Sequence, residues 1–480
     1  MVLDPRSRTL FDDGVPDAPL IPAADVDELR GRVHGPVYAA GDDGLAAEVA
    51  TWNLAVRHTP AVAVGATCAA DVAAAVGFAT AHGLPVAVQA TGHGPVRNAA
   101  GALVVTTRRM QGVVVDPQRR TARVQAGARW AAVQAAAAVH GLSGLCGSSS
   151  AVGVVGSTLG GGLGPLGRRF GFAADSVRAM EVVTADGALR RLDPTSEPEL
   201  FWAVRGAKAS FGVVTAIEIG LVPVRSVLGG GVHFAAEDAA AVLHAYRRWA
   251  PTLPEEATTS IAVLRLPPAA ELPPPLRGQT VVHLRYVYCG DDPAEGRRLV
   301  EPMLGSGRVV LGTLGPLATT ELDAVHLDPR DPMCAWEKGM LLAELTEQTV
   351  DAFLAAAGPA APVPLAMAEI RQLGGALGRQ PAVPGAVAGR SGAWSVLVLG
   401  SLEPGLAEAV PRAGRQVLAA LRPWAAPGCV LNLLGDVSGP EEVLAAYDPA
   451  DAVRLLAVKR AVDPGDVFSC GHAIRARRPA

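Results

Sequence analysis

Net charge, paired cysteines, tyrosines and long apolar runs are all scarce in this chain of 480 residues. Its 42 lysines and arginines are offset by 46 acidic residues, leaving a net charge of −4. A nucleic-acid binder needs a concentrated basic surface to neutralise phosphates, so no nucleic acid is expected as a partner. The one basic run, Arg475, Arg477 and Arg478, reads as a solvated tail. Six cysteines (Cys68, Cys146, Cys289, Cys334, Cys429 and Cys470) are scattered without a CxxC pair. That spacing argues against a disulfide framework or a zinc site; no metal is expected, and the reducing cytoplasm is the expected compartment. No apolar run reaches the ~18–20 residues that cross a bilayer. The start, MVLDPRSRTLFDDGVPDAPL, is too polar and proline-broken for a secretory leader, so no membrane association is expected. Aromatics make up 4% of the residues and tyrosines number five, few enough to inspect each as a catalytic group.

Half of the residues are hydrophobic, ample for a buried core, and the length allows about three domains of ~150 residues or two larger ones. The first ~50 residues read as a loose leading arm, followed by a helix around 44–54. From Pro60 short apolar strands alternate with alanine-rich helices: PAVAVGA, then the helix CAADVAAAVGFATAHG, then PVAVQA, ALVVTT, GVVVDP and TARVQAG, then the helix ARWAAVQAAAAVHG. Such alternation points to an α/β or α+β domain. A boundary is expected near Pro223, after GVVTAIEIGLVPV. Beyond it, helix AAEDAAAVLHAYRRWA precedes strands TSIAVLRL and TVVHLRYVYCG, and further strands MAEIRQLGG and AWSVLVLGSL are separated by helices. This second region is expected to be an antiparallel sheet covered on one face. The three expected parts are residues 1–225, 226–428 and 429–480.

Two glycine-rich segments carry the chemistry. QATGHG follows the strand PVAVQA, so its backbone amides are free to point at a ligand. GSSSAVGVVGSTLGGGLGPLGRRFG holds nine glycines in 25 residues. Glycine is required where the chain takes positive φ or approaches a ligand without a Cβ, and rows of exposed N–H groups cradle anions such as a pyrophosphate. GGGLGPLG is only a partial dinucleotide fingerprint, since Pro165 stands where a helix should begin and no strand precedes it directly. No GxxxxGK[ST] run is present, which excludes a P-loop. Turns in a glycine-rich scaffold are the competing reading of either loop alone.

Four blocks in order (PVAVQATGHG, GLCGSSSAVGVVGSTLGGGLG, ELFWAVRGAKASFGVVTAIEI and LAVKRAVDPGDVFSCGHAI) resemble the vanillyl-alcohol oxidase and p-cresol methylhydroxylase superfamily, in particular its berberine-bridge-enzyme-like branch. The resemblance covers about Trp52 to Val222 and returns at Cys429 to Ile474. It implies a two-domain α+β flavoprotein: an FAD-binding domain over 1–225 with its core at about 57–225, a substrate domain over 226–428, and a segment over 429–480 that returns to the FAD domain. It implies FAD bound covalently through His93, in a block that usually reads R-S-G-G-H. The contacts implied are Gln89, Ala90, Thr91, Gly92 and Gly94 beside that histidine; Ser148, Ser149, Val152, Gly153, Gly156, Ser157, Leu159, Gly161, Gly162 and Gly164 in the second block; Gly212, Val213 and Val214 in the third; and Asn432, Phe468 and His472 towards the C-terminus. Many relatives add a cysteine link at the position of Ser149; with Cys146 three residues upstream, a single link is expected. Val152 matches the oxygen-gating position, and valine there resembles members that use dioxygen.

The family's usual bases are replaced. The tyrosine of its Y-x-N motif corresponds to Val430 in Val430-Leu431-Asn432, and the glutamate ahead of its P-F-P-H-R motif corresponds to Pro384. Strand alternation offers substitutes. Glu369 and Arg371 share one face of MAEIRQLGG, with the arginine suited to an enolate or carboxylate. Tyr286 and Tyr288 share one face of VVHLRYVYCG, with His283 and Arg285 on the other. Solvent-facing charges and core tyrosines are the plain alternatives. The alanine- and glycine-rich composition resembles that of GC-rich bacteria, and flavoenzymes of bacterial polyketide biosynthesis are similar in having one histidine link and a glutamate here. The expectation is an FAD-linked oxidase of bacterial secondary metabolism, passing hydride from a small alcohol or enolisable substrate to flavin and electrons on to dioxygen. A carbohydrate or alcohol oxidase or dehydrogenase, or a flavin-binding protein without catalysis, are the alternatives.

Overall fold

The computed structural model describes residues 21–94 and 97–476. Three sheets organise the chain. The first has four strands in the order Val37–Ala39, Val62–Gly65, Leu103–Thr106, Val86–Gln89. Its last three strands are parallel, as βαβ connections require. The helix Ala69–Ala81 packs Val72, Val76 and Phe78 onto them. The second sheet is antiparallel, with strand order Val113–Asp116, Thr121–Gln125, Val213–Gly220, Val177–Val183, Leu189–Leu192.

The third sheet has nine strands and is antiparallel throughout. Its centre runs Ser226–Ala235, Thr280–Tyr288, Ala257–Arg265, Met367–Gln372, Trp394–Ser401, Ala335–Leu342. One face carries Leu284, Tyr286, Ala368, Ile370, Trp394 and Val396, buried against Val242, Tyr246, Val350, Phe353, Val410 and Val417 of the covering helices. The period of two then sends His283, Arg285, Glu369, Arg371 and Ser395 to the other face. The α+β fold with a helix-covered antiparallel sheet is the one expected from the strand pattern.

Three local differences have physical causes. The leading arm is not loose throughout: Ala23–Arg32 is a helix that buries Val26 and Leu29, followed by the strand Val37–Ala39. The helix expected over 44–54 is only Leu45–Glu48, because Trp52 and Asn53 instead donate their amides to the Gly92 carbonyl. The strand Ser226–Ala235 escapes a propensity reading because glycines occupy 229–231. They are needed there: a Cβ on Gly231 would lie 2.1 Å from His283 Nε2, and Gly230 has φ +142°. The strand Ala335–Leu342 and helix Glu347–Ala357 also lacked a sequence reading. All six cysteines are free thiols. Among the described residues no helix is long and apolar enough to cross a membrane. Arg475 is exposed, whereas Arg477 and Arg478 lie outside the described residues.

Asp71 supplies a pH test of the fold. Its carboxylate accepts the His34 amide at 2.9 Å, the Thr67 amide at 2.9 Å and the Thr67 hydroxyl at 2.7 Å. Burial alone would raise its carboxyl, but these bonds hold it well below the ordinary range. A depressed carboxylate stabilises the fold fully above its unfolded pKa of about 4, and that contribution is lost as pH falls. Asp71→Asn is expected to cost about 1–3 kcal/mol at pH 7. The gap between the melting curves of the two proteins should begin to narrow near pH ~4 and close only as pH falls on through the depressed folded value; a gap that stays constant with pH excludes this account.

Candidate cofactor loops and the sheet face opposite them

The QATGHG turn leaves the strand Val86–Gln89. Gln89 is buried and donates to the Ala50 carbonyl at 2.9 Å, which fixes the root of the turn. Gly92 has φ +74°, and a Cβ there would lie 2.7 Å from Thr51 Cα, so the position requires glycine. His93 stacks on Trp52 with centroids 4.7 Å apart, and its Nδ1 is 3.0 Å from the Thr91 hydroxyl. Burial, with nearby Arg129, pushes the imidazole down to about 4, so it is neutral at pH 7. The same Thr91 oxygen accepts the Gly153 amide at 3.4 Å, and Ala90 packs beside Gly153. The two glycine-rich segments therefore meet.

At this junction the amides of Thr91, Gly92, His93 and Gly94 donate to no described residue, and neither do those of Val155 and Gly156 at the head of the short helix Val154–Leu159. Gly94 and Gly156 are exposed with open space where a Cβ would stand. Free amides lined by glycine are what a pyrophosphate needs, so these residues fit FAD. Ser148 and Val152 are half-buried on the approach to Gly153, and Ser149 is buried. Ser157 donates to the Gly153 carbonyl at 2.8 Å and accepts from Trp130 Nε1 at 2.8 Å. Gly161 and Gly162 have φ +107° and +76°; their carbonyls accept the Ala174 and Ala173 amides, which folds the GGGLG run against the core. Asn432 spans this run, donating to the Ser157 carbonyl at 3.1 Å and accepting the Gly162 amide at 3.5 Å.

Other implied contacts are packed instead. Leu159, Val213, Val214 and Phe468 are buried among apolar side chains. Gly164 lies against the Cys146 carbonyl, where a Cβ would come within 1.9 Å, and Gly212 against Val182 and Val183. These residues shape the fold, and only their backbone is available to a ligand. Cys146 is buried with Sγ 3.8 Å from the Ser149 carbonyl, and burial pushes its thiol far up.

The C-terminal segment returns beside these loops. Lys459 donates at 2.7 Å to each of the Ser210 carbonyl, the Phe468 carbonyl and Asp463. His472 Nε2 lies 2.7 Å from the Gly435 carbonyl, which only accepts, so Nδ1 carries the lone pair that receives Lys208 Nζ at 3.0 Å. Burial and Lys208 push His472 down to about 3, and burial pushes Lys208 itself down to about 8 and Glu337 up to about 7. Lys208 was not singled out from the sequence. It sits in the turn RGAKASFG at φ +50°, a conformation that favours glycine.

On the large sheet, Arg285 Nη1 donates to Glu369 at 2.7 Å and Arg371 Nη2 donates to it at 3.1 Å. Burial by itself would raise the Glu369 carboxyl, but Arg371 and Arg285 hold it well below the carboxylate range. This corrects Glu369 as a candidate base: a carboxylate clamped by two guanidiniums is a weak proton acceptor. His326 Nε2 stands 3.4 Å from Arg371 Nη2, and His283 stacks on His233 at 4.0 Å. Tyr286 and Tyr288 require a second correction. Both lie on the opposite, helix-covered face, where Tyr286 donates to the Gly296 carbonyl at 3.0 Å. They are core residues and cannot reach what Glu369 and Arg371 face.

Residues 60–193 match the FAD binding domain family. Over 206 residues the chain is 34% identical to an (R)-6-hydroxynicotine oxidase of Paenarthrobacter nicotinovorans, covering 42% of this chain and 45% of that one. The chain thus spans less than half the length of this curated relative. The crystal structure of 6-hydroxy-D-nicotine oxidase from Arthrobacter nicotinovorans superposes with a TM-score of 0.77 at 26% identity, covering 93% of this chain and 98% of the other. A variant of the Physcomitrella patens BBE-like 1 protein shares the fold, with a TM-score of 0.81 at 20% identity over 95% of this chain and 100% of that chain. Residues 60–193 are thus an FAD binding domain, and the chain as a whole has the fold of these two proteins.

Proposed function

We propose that this protein is an FAD-linked oxidase of bacterial secondary metabolism that oxidises a small alcohol-bearing or enolisable compound, with dioxygen as the final electron acceptor. The observation that carries the reading is the junction of two rows of free amides beside a neutral, oriented His93. Bound FAD supplies the two-electron acceptor. The chain's own residues do the rest. The amides of Thr91–Gly94 and Val155–Gly156 would hold the pyrophosphate, and Thr91 and Trp52 orient the His93 ring that would carry the single covalent bond. Half-buried Val152 beside Gly153 leaves a small side chain at the point of oxygen access.

Val430 and Pro384 offer no proton acceptor, and Glu369 is committed to its arginines. A substrate with an acidic proton suits such a site, because it needs no strong base from the protein. The test is anaerobic mixing of the purified yellow protein with a panel of small alcohols, oligosaccharides and enolisable polyketide-like compounds. At least one is expected to bleach the flavin, and admission of air should restore the colour within seconds. Bleaching by none of them would make the protein a flavin-binding module. Slow recovery in air would make it a dehydrogenase.

A further inference from the structure

We infer that the substrate carries a carboxylate or a similarly delocalised oxyanion, bound by Arg371 and the Ser395 hydroxyl where the large sheet meets the glycine-rich loop. This rests on the function proposed above and adds the chemical class of the substrate. The strand register sets Arg285, Ser260, Arg371, Ser395 and Leu341 side by side across five strands, all on the face away from the helices. The neighbouring row holds His283, Ala262, Glu369 and Leu397. Glu369 therefore sits in the notch between the two arginines and is bonded to both.

Among the described residues, Glu369 is the one carboxylate within ion-pair distance of either guanidinium. Two positive charges against one negative leave a buried excess of one. The histidines around them add no charge, since burial and the arginines push His283 and His326 well below the ordinary range. An uncompensated buried charge is costly, and an anion removes that cost.

The direction of the site follows from which atoms remain free. Arg371 Nε and Ser395 Oγ are buried and have no partner. Ser395 flanks Arg371 on the side opposite Ser260, so these two groups are the ones Glu369 does not occupy. Next along the row, Leu341 belongs to an apolar cluster with Leu163, Val387 and Val430. Leu163 lies within the GGGLG run and Val430 two residues before Asn432, so this cluster borders the cofactor loops. The arrangement suits an anionic head on Arg371, whose planar fork matches an oxyanion. A cationic amine would meet the excess positive charge.

The experiment titrates the purified protein with benzoate, benzamide and benzylamine, following flavin absorbance and binding heat. Benzoate is expected to bind at least tenfold tighter than benzamide, with no binding of benzylamine. Arg371→Gln should weaken benzoate tenfold or more while the flavin content stays the same. Equal affinity for benzoate and benzamide overturns the inference, as does an Arg371→Gln protein that keeps the preference. If that variant fails to fold, the contrast among the three probes in the unaltered protein decides alone. A colourless protein counts against the flavin reading, and its binding heats still test the anion site separately.

Discussion

His93→Ala protein is expected to release all of its flavin into the supernatant on acid precipitation, whereas the unaltered protein keeps its colour in the pellet. Nucleophilic attack needs an unprotonated ring nitrogen, and His93 is pushed down to about 4 by burial and Arg129, so the competent form dominates at pH 7. The ring is oriented by the Thr91 hydroxyl at 3.0 Å and by stacking on Trp52. The loss should be complete because Cys146, the candidate for a second link, is not available for it. Cys146 is buried, turned to the Ser149 carbonyl, and pushed far up by burial, so its reactive thiolate is absent at neutral pH. The alanine protein should still bind FAD, because the free amides of Thr91–Gly94 and Val155–Gly156 come from the backbone. Colour that persists in the acid pellet of the variant refutes His93 as the anchor and directs attention to Cys146.

The parts of this architecture that could be read from sequence are those whose cause is local. A glycine-rich turn after an apolar strand announces free amides wherever the rest of the chain goes, and Gly92 at φ +74° meets that expectation. Alternation along MAEIRQLGG places Glu369 and Arg371 on one face without knowledge of any neighbour. What alternation omits is which face turns to the cofactor. For VVHLRYVYCG the aromatic pair was as eligible as the polar one; packing decided, because Tyr286 and Tyr288 fill space under the helices while Arg285 is drawn to Glu369 across two strand boundaries. That pairing depends on the register with Ala257–Arg265, a long-range property. The strand at 226–235 was hidden for a related reason: its glycines answer to His283 and Thr313, both distant in sequence. Lys208 joins His472 across 264 positions, so no local pattern pointed to it.

Lys459→Met is expected to be the most destabilising single change on the C-terminal segment, costing about 3–5 kcal/mol. The lysine side chain is fully buried, as is that of Asp463. Its three bonds join the helix Pro449–Val462 to the Ser210 carbonyl in the turn before Val213–Gly220 and to the Phe468 carbonyl in the tail. Methionine fills a similar volume, so packing is largely conserved and the loss is electrostatic. It leaves the Asp463 carboxylate buried with only the Val467 and Phe468 amides to hold it, and it leaves two carbonyls without a donor. Breaking one partner of a buried pair costs far more than an exposed pair contributes, which is about 0–1 kcal/mol. Arg412→Met, which removes an exposed partner of Glu408, is therefore the control. Against a total stability of about 5–15 kcal/mol, the difference should be plain in urea melts, as a lowered midpoint at unchanged slope. Flavin content should fall with it, because Phe468 and His472 are carried on the segment that Lys459 secures. A Lys459→Met midpoint no lower than that of Arg412→Met would show that the tail is held by its apolar contacts alone.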